Sequence, residues 1–187
     1  MARDELAKHD ITVICDLDVA MVEFGRPLES LLSHWGWDWE KTQILVALDP
    51  DKPRNRLNGV LAANTGFMVV KNTTRVADSL AAWWKCPEEI EGCARWAGRT
   101  ESQLYTDQGA WNEFIRPTLN VPGELLLLPC SQANGNPSSF GCTGEHVRHY
   151  WMNKRRVIPA LHAFVLAGLA EAMNAPTARD ADPDSLD

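Results

Sequence analysis

The sequence predicts a single α/β layered domain, and three observations carry that reading. Apolar runs of four or five residues stand at 11–15, 44–48 and 125–128, too short for helices and suited to buried strands. Between and after them lie stretches with helical spacing of apolar residues, so strands alternate with helices. The chain has 187 residues, 45% of them hydrophobic, which suits one domain with a sizeable core.

Taken in order, residues 2–9 read as a short helix or the end of one. The strand over 11–15 follows and closes on Asp16-Leu17-Asp18. Pro27 precedes Leu28, Leu31, Leu32 and Trp35, a spacing that predicts a helix with Pro in its first turn. The second strand, 44–48, ends in the loop Asp49-Pro50-Asp51-Lys52-Pro53. Apolar residues at 60–63 and 67–70 flank Asn64-Thr65-Gly66, read as a strand turn or a ligand-lining element. Gly66 there permits an unusual backbone angle or the close approach of a ligand. Val76, Leu80, Trp83 and Trp84 predict a helix over 74–84, and Thr106 is placed to cap another that carries Ala110, Trp111, Phe114 and Ile115. The third strand is 125–128. A C-terminal helix over 155–173 has Val157, Leu161, Val165 and Leu169 at four-residue spacing. Residues 174–187 hold four Asp, two Pro and no large apolar residue except Leu186, so they are expected to be a disordered acidic tail.

The formal net charge is −7, which argues against nucleic acid as the partner. No apolar run approaches the roughly 20 residues that span a bilayer, and the charged start Met1-Ala2-Arg3-Asp4-Glu5 is unlike a signal peptide. A soluble chain with no membrane segment is therefore expected. Eight Trp accompany only two Tyr, for core packing or for stacking on sugar rings. Cys86 and Cys93 flank a short segment, and Cys130 and Cys142 a loop rich in Asn, Gly, Pro and Ser. Neither pair has zinc-ribbon spacing, so two local disulfides are favoured over free thiols. The second would close a loop worth roughly 3 kcal/mol. Cys15 is left over and expected to pack in its strand.

Asp16-Leu17-Asp18 is the most informative motif. Two carboxylates at i and i+2, emerging where a strand ends, form a hard-oxygen pair able to hold a divalent cation against a phosphate-bearing ligand. Carboxylates in such a place need a positive partner.

Five pieces then follow in one order: Asp16-Leu17-Asp18, Asn64-Thr65-Gly66-Phe67, Ala82-Trp83-Trp84, Asp107-Gln108, and His149-Tyr150-Trp151 with Lys154 and Arg155. The series resembles retaining nucleotide-sugar glycosyltransferases of the GT-A fold, in particular the fungal and plant galactosyl/mannosyl/xylosyl transferases and the related nucleotide-diphospho-sugar transferases. The resemblance covers about residues 10–155. It implies a GT-A-like mixed sheet flanked by helices, and transfer of a hexosyl or pentosyl group, with retention, from a nucleotide-diphosphate sugar to a glycan or glycoprotein acceptor. It implies a divalent metal, Mn²⁺ first, held by Asp16, Asp18 and His149, with His146 a weaker candidate. Lys154 or Arg155 would face the diphosphate. Asn64, Thr65 and Gly66 would line the donor sugar, Trp151 would lie in the same substrate-binding element, and Asp107 and Gln108 would lie near the anomeric carbon. Paired luminal cysteines and a Golgi setting fit the fungal members.

In these families a nucleotide-binding segment precedes the acidic pair, which here arrives at residue 16. The resemblance thus implies that 1–173 is the C-terminal part of a catalytic domain whose first strands are missing, leaving an open sheet edge. Two other readings compete. One is a non-catalytic relic or binding module of the same fold. The other is a haloacid-dehalogenase-like phosphatase, in which the first Asp attacks phosphorus and the second is the acid/base. Val19-Ala20 and the missing late acidic strand speak against the phosphatase.

Overall fold

The computed structural model describes residues 8–23, 25–97, 106–139, 141–151 and 154–174. The helix expected over 2–9 falls mainly outside them. So does the expected tail, apart from Asn174, which closes the last helix.

Four strands form the central sheet: β1 (Ile11–Cys15), β3 (Ile44–Leu48), β6 (Ala63–Lys71) and β7 (Leu125–Leu128). Their order is β1-β6-β3-β7. β6 runs antiparallel to both neighbours, and β7 is parallel to β3, so the sheet is mixed. Alternation along β3 decides the layers. Leu45 and Ala47 face a core with α1 (Leu28–His34), which contributes Leu31, Leu32 and the following Trp35. Ile44 and Val46 face the opposite core, which holds Val76 of α2 (Thr74–Glu89) together with Trp111 and Ile115. These two form a π turn, Trp111–Ile115, that continues α3 (Thr106–Ala110). Both faces of β3 are covered, which explains a strand with no polar residue.

Two ribbons complete the fold. β4 (Arg56–Leu57) pairs with β5 (Val60–Leu61), and β2 (Val19–Met21) pairs with β8 (Val147–His149). The short α4 (Cys130–Ala133) follows β7, and α5 (Val157–Asn174) ends the described chain after a 3₁₀ turn at Lys154–Arg156. Disulfides join Cys86 to Cys93 and Cys130 to Cys142, with Cα separations of 5.6 and 5.3 Å.

The structure departs from the sequence reading in four places. β1 is half-exposed, bonded on one side only among the described residues, and Cys15 is exposed rather than packed. Asn64-Thr65-Gly66 is no turn but lies inside β6, where the register against β3 jumps from Val46↔Met68 to Ala47↔Asn64. α2 extends to Glu89, through Cys86 and Pro87. In keeping with the core packing expected of the indoles, Trp35, Trp37, Trp96 and Trp111 are buried, whereas Trp39 and Trp84 are exposed. Finally, Lys154–Asn174 is long and apolar enough, by length and composition, to cross a membrane, and only 6% of that stretch is buried. Its terminal cations, Pro159, His162 and Glu171 interrupt the pure apolar run that the sequence reading sought.

Candidate functional site

The acidic pair sits on the corner between β1 and β2. Val19 N–H donates to Asp16 C=O at 3.2 Å, which turns the chain, and Asp16 N–H donates to Gly66 C=O at 2.8 Å, which ties the corner to β6. Leu17 points to solvent, and the two carboxylates lie on either side of it. The ribbon then delivers the histidine. β2 pairs with β8 so that Val19 opposes His149, and Tyr150 N–H donates to Asp18 C=O at 2.8 Å. His149 Nε2 ends 3.3 Å from Asp18 Oδ1 and 3.5 Å from Asp16 Oδ2. One ligand atom from each of the three lies within 4.8 Å of the others. Asp18 and His149 are buried and Asp16 is exposed.

The tautomer of His149 follows from its other neighbours. Asn134 Nδ2 donates to Leu48 C=O at 3.2 Å and to Asp49 Oδ1 at 3.3 Å, so Asn134 Oδ1 is the atom turned to His149 Nδ1, at 3.0 Å. Nδ1 is therefore the donor. In the neutral ring the Nε2 lone pair then faces two carboxylates, an arrangement that a metal ion or a second ring proton between them would relieve. Asp18 Oδ2 is buried without a hydrogen bond and faces Lys154 Nζ at 3.5 Å. Two carboxylates, an imidazole and an orphaned buried oxygen fit a divalent metal such as Mn²⁺. When the ring carries both protons, Nε2–H donates to Asp16. That hydrogen bond first, and the His149 and Lys154 charges after it, hold the Asp16 carboxyl below its ordinary range against the pull of partial burial.

Gly66 makes this approach feasible. A Cβ at that position would lie 2.7 Å from His149 Nδ1 and 2.9 Å from Asn64 Oδ1. The close approach expected of this glycine is thus to the imidazole.

Behind the acids lies a buried polar network. Asp49, at the end of β3, accepts from Asn64 Nδ2 at 2.9 Å, from Gln108 Nε2 at 2.6 Å and from Asn134. Burial, only partly offset by these donors, raises its carboxyl above the ordinary range. Asn112 carries the network on. Its Oδ1 accepts from Ala63 N–H at 2.8 Å, and its Nδ2 donates to Ala63 C=O at 2.7 Å and to Gln108 C=O at 2.9 Å. Asp107 is exposed, accepts from Thr65 Oγ1 at 3.4 Å, and takes Trp83 Nε1–H on its carbonyl at 3.0 Å.

The structure thus brings Asp16, Asp18, Asn64, Thr65, Gly66, Asp107, Gln108, His149 and Lys154 into one contiguous region. Trp151 is half-buried, edge-on to His149 with ring centroids 5.4 Å apart. Arg155 is exposed in the 3₁₀ turn, and no ion pair joins it to the acids among the described residues. His146 lies elsewhere, against His34 and Trp35. The sequence reading missed Asp49, Asn134 and Asn112. Asp49 carried a usable signal, since it also follows an apolar strand directly. Asn134 is held by the loop that Cys130–Cys142 closes. There Gly135 crosses the Gly144 backbone so closely that no side chain fits, and Gly135 C=O accepts from His149 N–H at 2.8 Å.

No family model and no curated protein matches the chain. Solved structures do. One is the crystal structure of a glycosyltransferase involved in the glycosylation of the major capsid of PBCV-1, with a TM-score of 0.59 over 87% of this chain and 70% of that one. Identity between the two is 13%. The likeness is one of fold. This chain therefore has a mixed α/β fold of the kind that glycosyltransferase uses.

Proposed function

We propose that the chain is a metal-dependent glycosyltransferase. It moves a hexosyl or pentosyl group from a nucleotide-diphosphate sugar to a glycan or glycoprotein acceptor, with retention at the anomeric carbon. The observation that carries the reading is the convergence of Asp16, Asp18 and His149 beside Lys154, in a fold shared with a glycosyltransferase. Asp16, Asp18 and His149 would hold Mn²⁺, which supplies positive charge to the diphosphate as it departs. Lys154 adds a cation at the same place, and Arg155 a second nearby. Asn134 keeps His149 in the ligating tautomer. Asn64, Thr65, Gly66 and Trp151 line the region beside the acids, where the donor sugar would lie. Gln108 donates one amide N–H to Asp49, and its oxygen would accept from a sugar hydroxyl. The exposed Asp107 carboxylate would stabilise oxocarbenium character.

Calorimetry with Mn²⁺ and nucleoside diphosphates tests this. Binding is expected only with the metal present, and Asp18→Ala should abolish it while circular dichroism stays unchanged. No heat at about millimolar ligand would overturn the enzyme reading. Binding that survives Asp18→Ala would remove the acidic pair from it.

A further inference from the structure

α5 presents a face that nothing among the described residues covers. Val157 is buried with Ala20 and Tyr150, and Ala160, Leu161 and Phe164 pack beside them. Ile158, Val165, Leu166, Leu169 and Met173 are all exposed, with Leu166 at 66% and Met173 at 85%. At helical spacing these five fall within an arc of about 100°, alongside His162 and next to the packed stripe. The regular four-residue series seen in the sequence is thus split. Val157 and Leu161 meet the body, whereas Val165 and Leu169 meet solvent. From Val157 to Ala170 there is no Asp, Glu, Lys or Arg. A helix apolar on this scale needs a low-polarity surrounding, and the protein body supplies it on one side only.

Charge names the occupant. Lys154, Arg155 and Arg156 stand exposed immediately before the helix, and Arg148 stacks on Phe164 of α5 at 5.1 Å. Three cations thus stand at the start of the helix and a fourth beside its middle, in a chain whose net charge is −7. A cationic cluster beside an apolar stripe matches the two layers of an anionic bilayer, phosphates outside and acyl chains beneath.

We infer that α5 docks the protein onto anionic membranes. The 158–165–166–169–173 face enters the acyl layer, and Arg155, Arg156 and their neighbours sit among the headgroups. The apolar face lies outside the metal corner, so vesicle binding is read separately from the proposed chemistry, although Lys154 and Arg155 belong to both.

Vesicle flotation of the full chain tests it. Vesicles of phosphatidylcholine with about one-third phosphatidylglycerol should carry the protein up the gradient at low salt, whereas pure phosphatidylcholine should retain at least tenfold less. Because both side chains are exposed, Leu166→Glu with Leu169→Glu should preserve the circular dichroism spectrum and abolish flotation. Arg155→Glu with Arg156→Glu should weaken it at least tenfold, as should high salt. Equal flotation with both vesicle types, or none with either, would overturn the inference. A concentration-dependent dimer in sedimentation that the leucine pair abolishes, without vesicle binding, would show instead that a second copy covers this face.

Discussion

Gly66→Ala would drive a methyl group into the His149 imidazole. The added carbon would collide with Cε1 and stand 2.7 Å from Nδ1, so the ring must retreat by about 1.5 Å to restore ordinary contacts of roughly 3.5–4.0 Å. The hydrogen bond from Nδ1 to Asn134 Oδ1, now 3.0 Å, would stretch out of range. Overpacking costs about 1–3 kcal/mol and the orphaned buried amide oxygen about 1–3 kcal/mol. The strand itself gains about 0.5–1 kcal/mol from losing a glycine. The costs win, and a net loss of about 1–5 kcal/mol is expected in urea unfolding. The ring also leaves its place between the carboxylates, so Mn²⁺ affinity, read from the free-ion signal in electron paramagnetic resonance, should fall by about 10–100-fold. A variant within about 0.5 kcal/mol of the parent and within about twofold in affinity would refute the argument that this glycine exists to admit the imidazole.

Two more outcomes follow from the buried groups. Asp49→Ala leaves the amides of Asn64, Gln108 and Asn134 without their acceptor and should cost about 3–5 kcal/mol by urea unfolding, whereas Asp51→Ala, at an exposed pair with Arg56, should change stability by less than about 0.5 kcal/mol; equal effects would refute the network. Glu124 is buried, and its hydrogen bonds from Arg75 hold its carboxyl below the ordinary range, with the Val121 N–H helping. A lowered carboxyl stabilises the fold above its unfolded value of about 4.3 and loses that contribution as pH falls through the folded value. Glu124→Gln should therefore lower the urea midpoint near pH 7, with the deficit shrinking below about pH 4; a deficit independent of pH would mean that the carboxylate charge plays no part.

The strands at 11–15, 44–48 and 125–128 could be read from sequence because short apolar runs have few other uses. What could not be read was which of them lies at an edge. β1 is nearly as apolar as β3, yet among the described residues β3 has a neighbour on each side and β1 has one, and pairing is a long-range choice that composition does not record. Asn64-Thr65-Gly66 looked like a turn because polar residues and glycine interrupt an apolar run. Tertiary structure overrode that signal by giving Asn64 a buried acid and Gly66 an imidazole to accommodate. In the site, Asp16 and Asp18 carried a local motif and were visible. Asn134 and Asp49 act through partners 85 residues apart, so no window of sequence contains both. The C-terminal helix was visible as a helix. Its open face was not, because periodicity identifies apolar positions without saying what will cover them.

The path by which His149 reaches the acids has a kinetic side. Asp16 and His149 meet across 133 positions of chain, counted as 149 − 16. Closing so long a loop carries an entropic cost that only an already assembled sheet can offset. The β2–β8 pairing that joins them is three residues long, too short to hold by itself. The acid–imidazole corner is therefore among the last parts of the molecule to form in refolding and among the first to open under stress. Metal binding followed in real time would report that final step, lagging behind the signals of the sheet and its flanking helices.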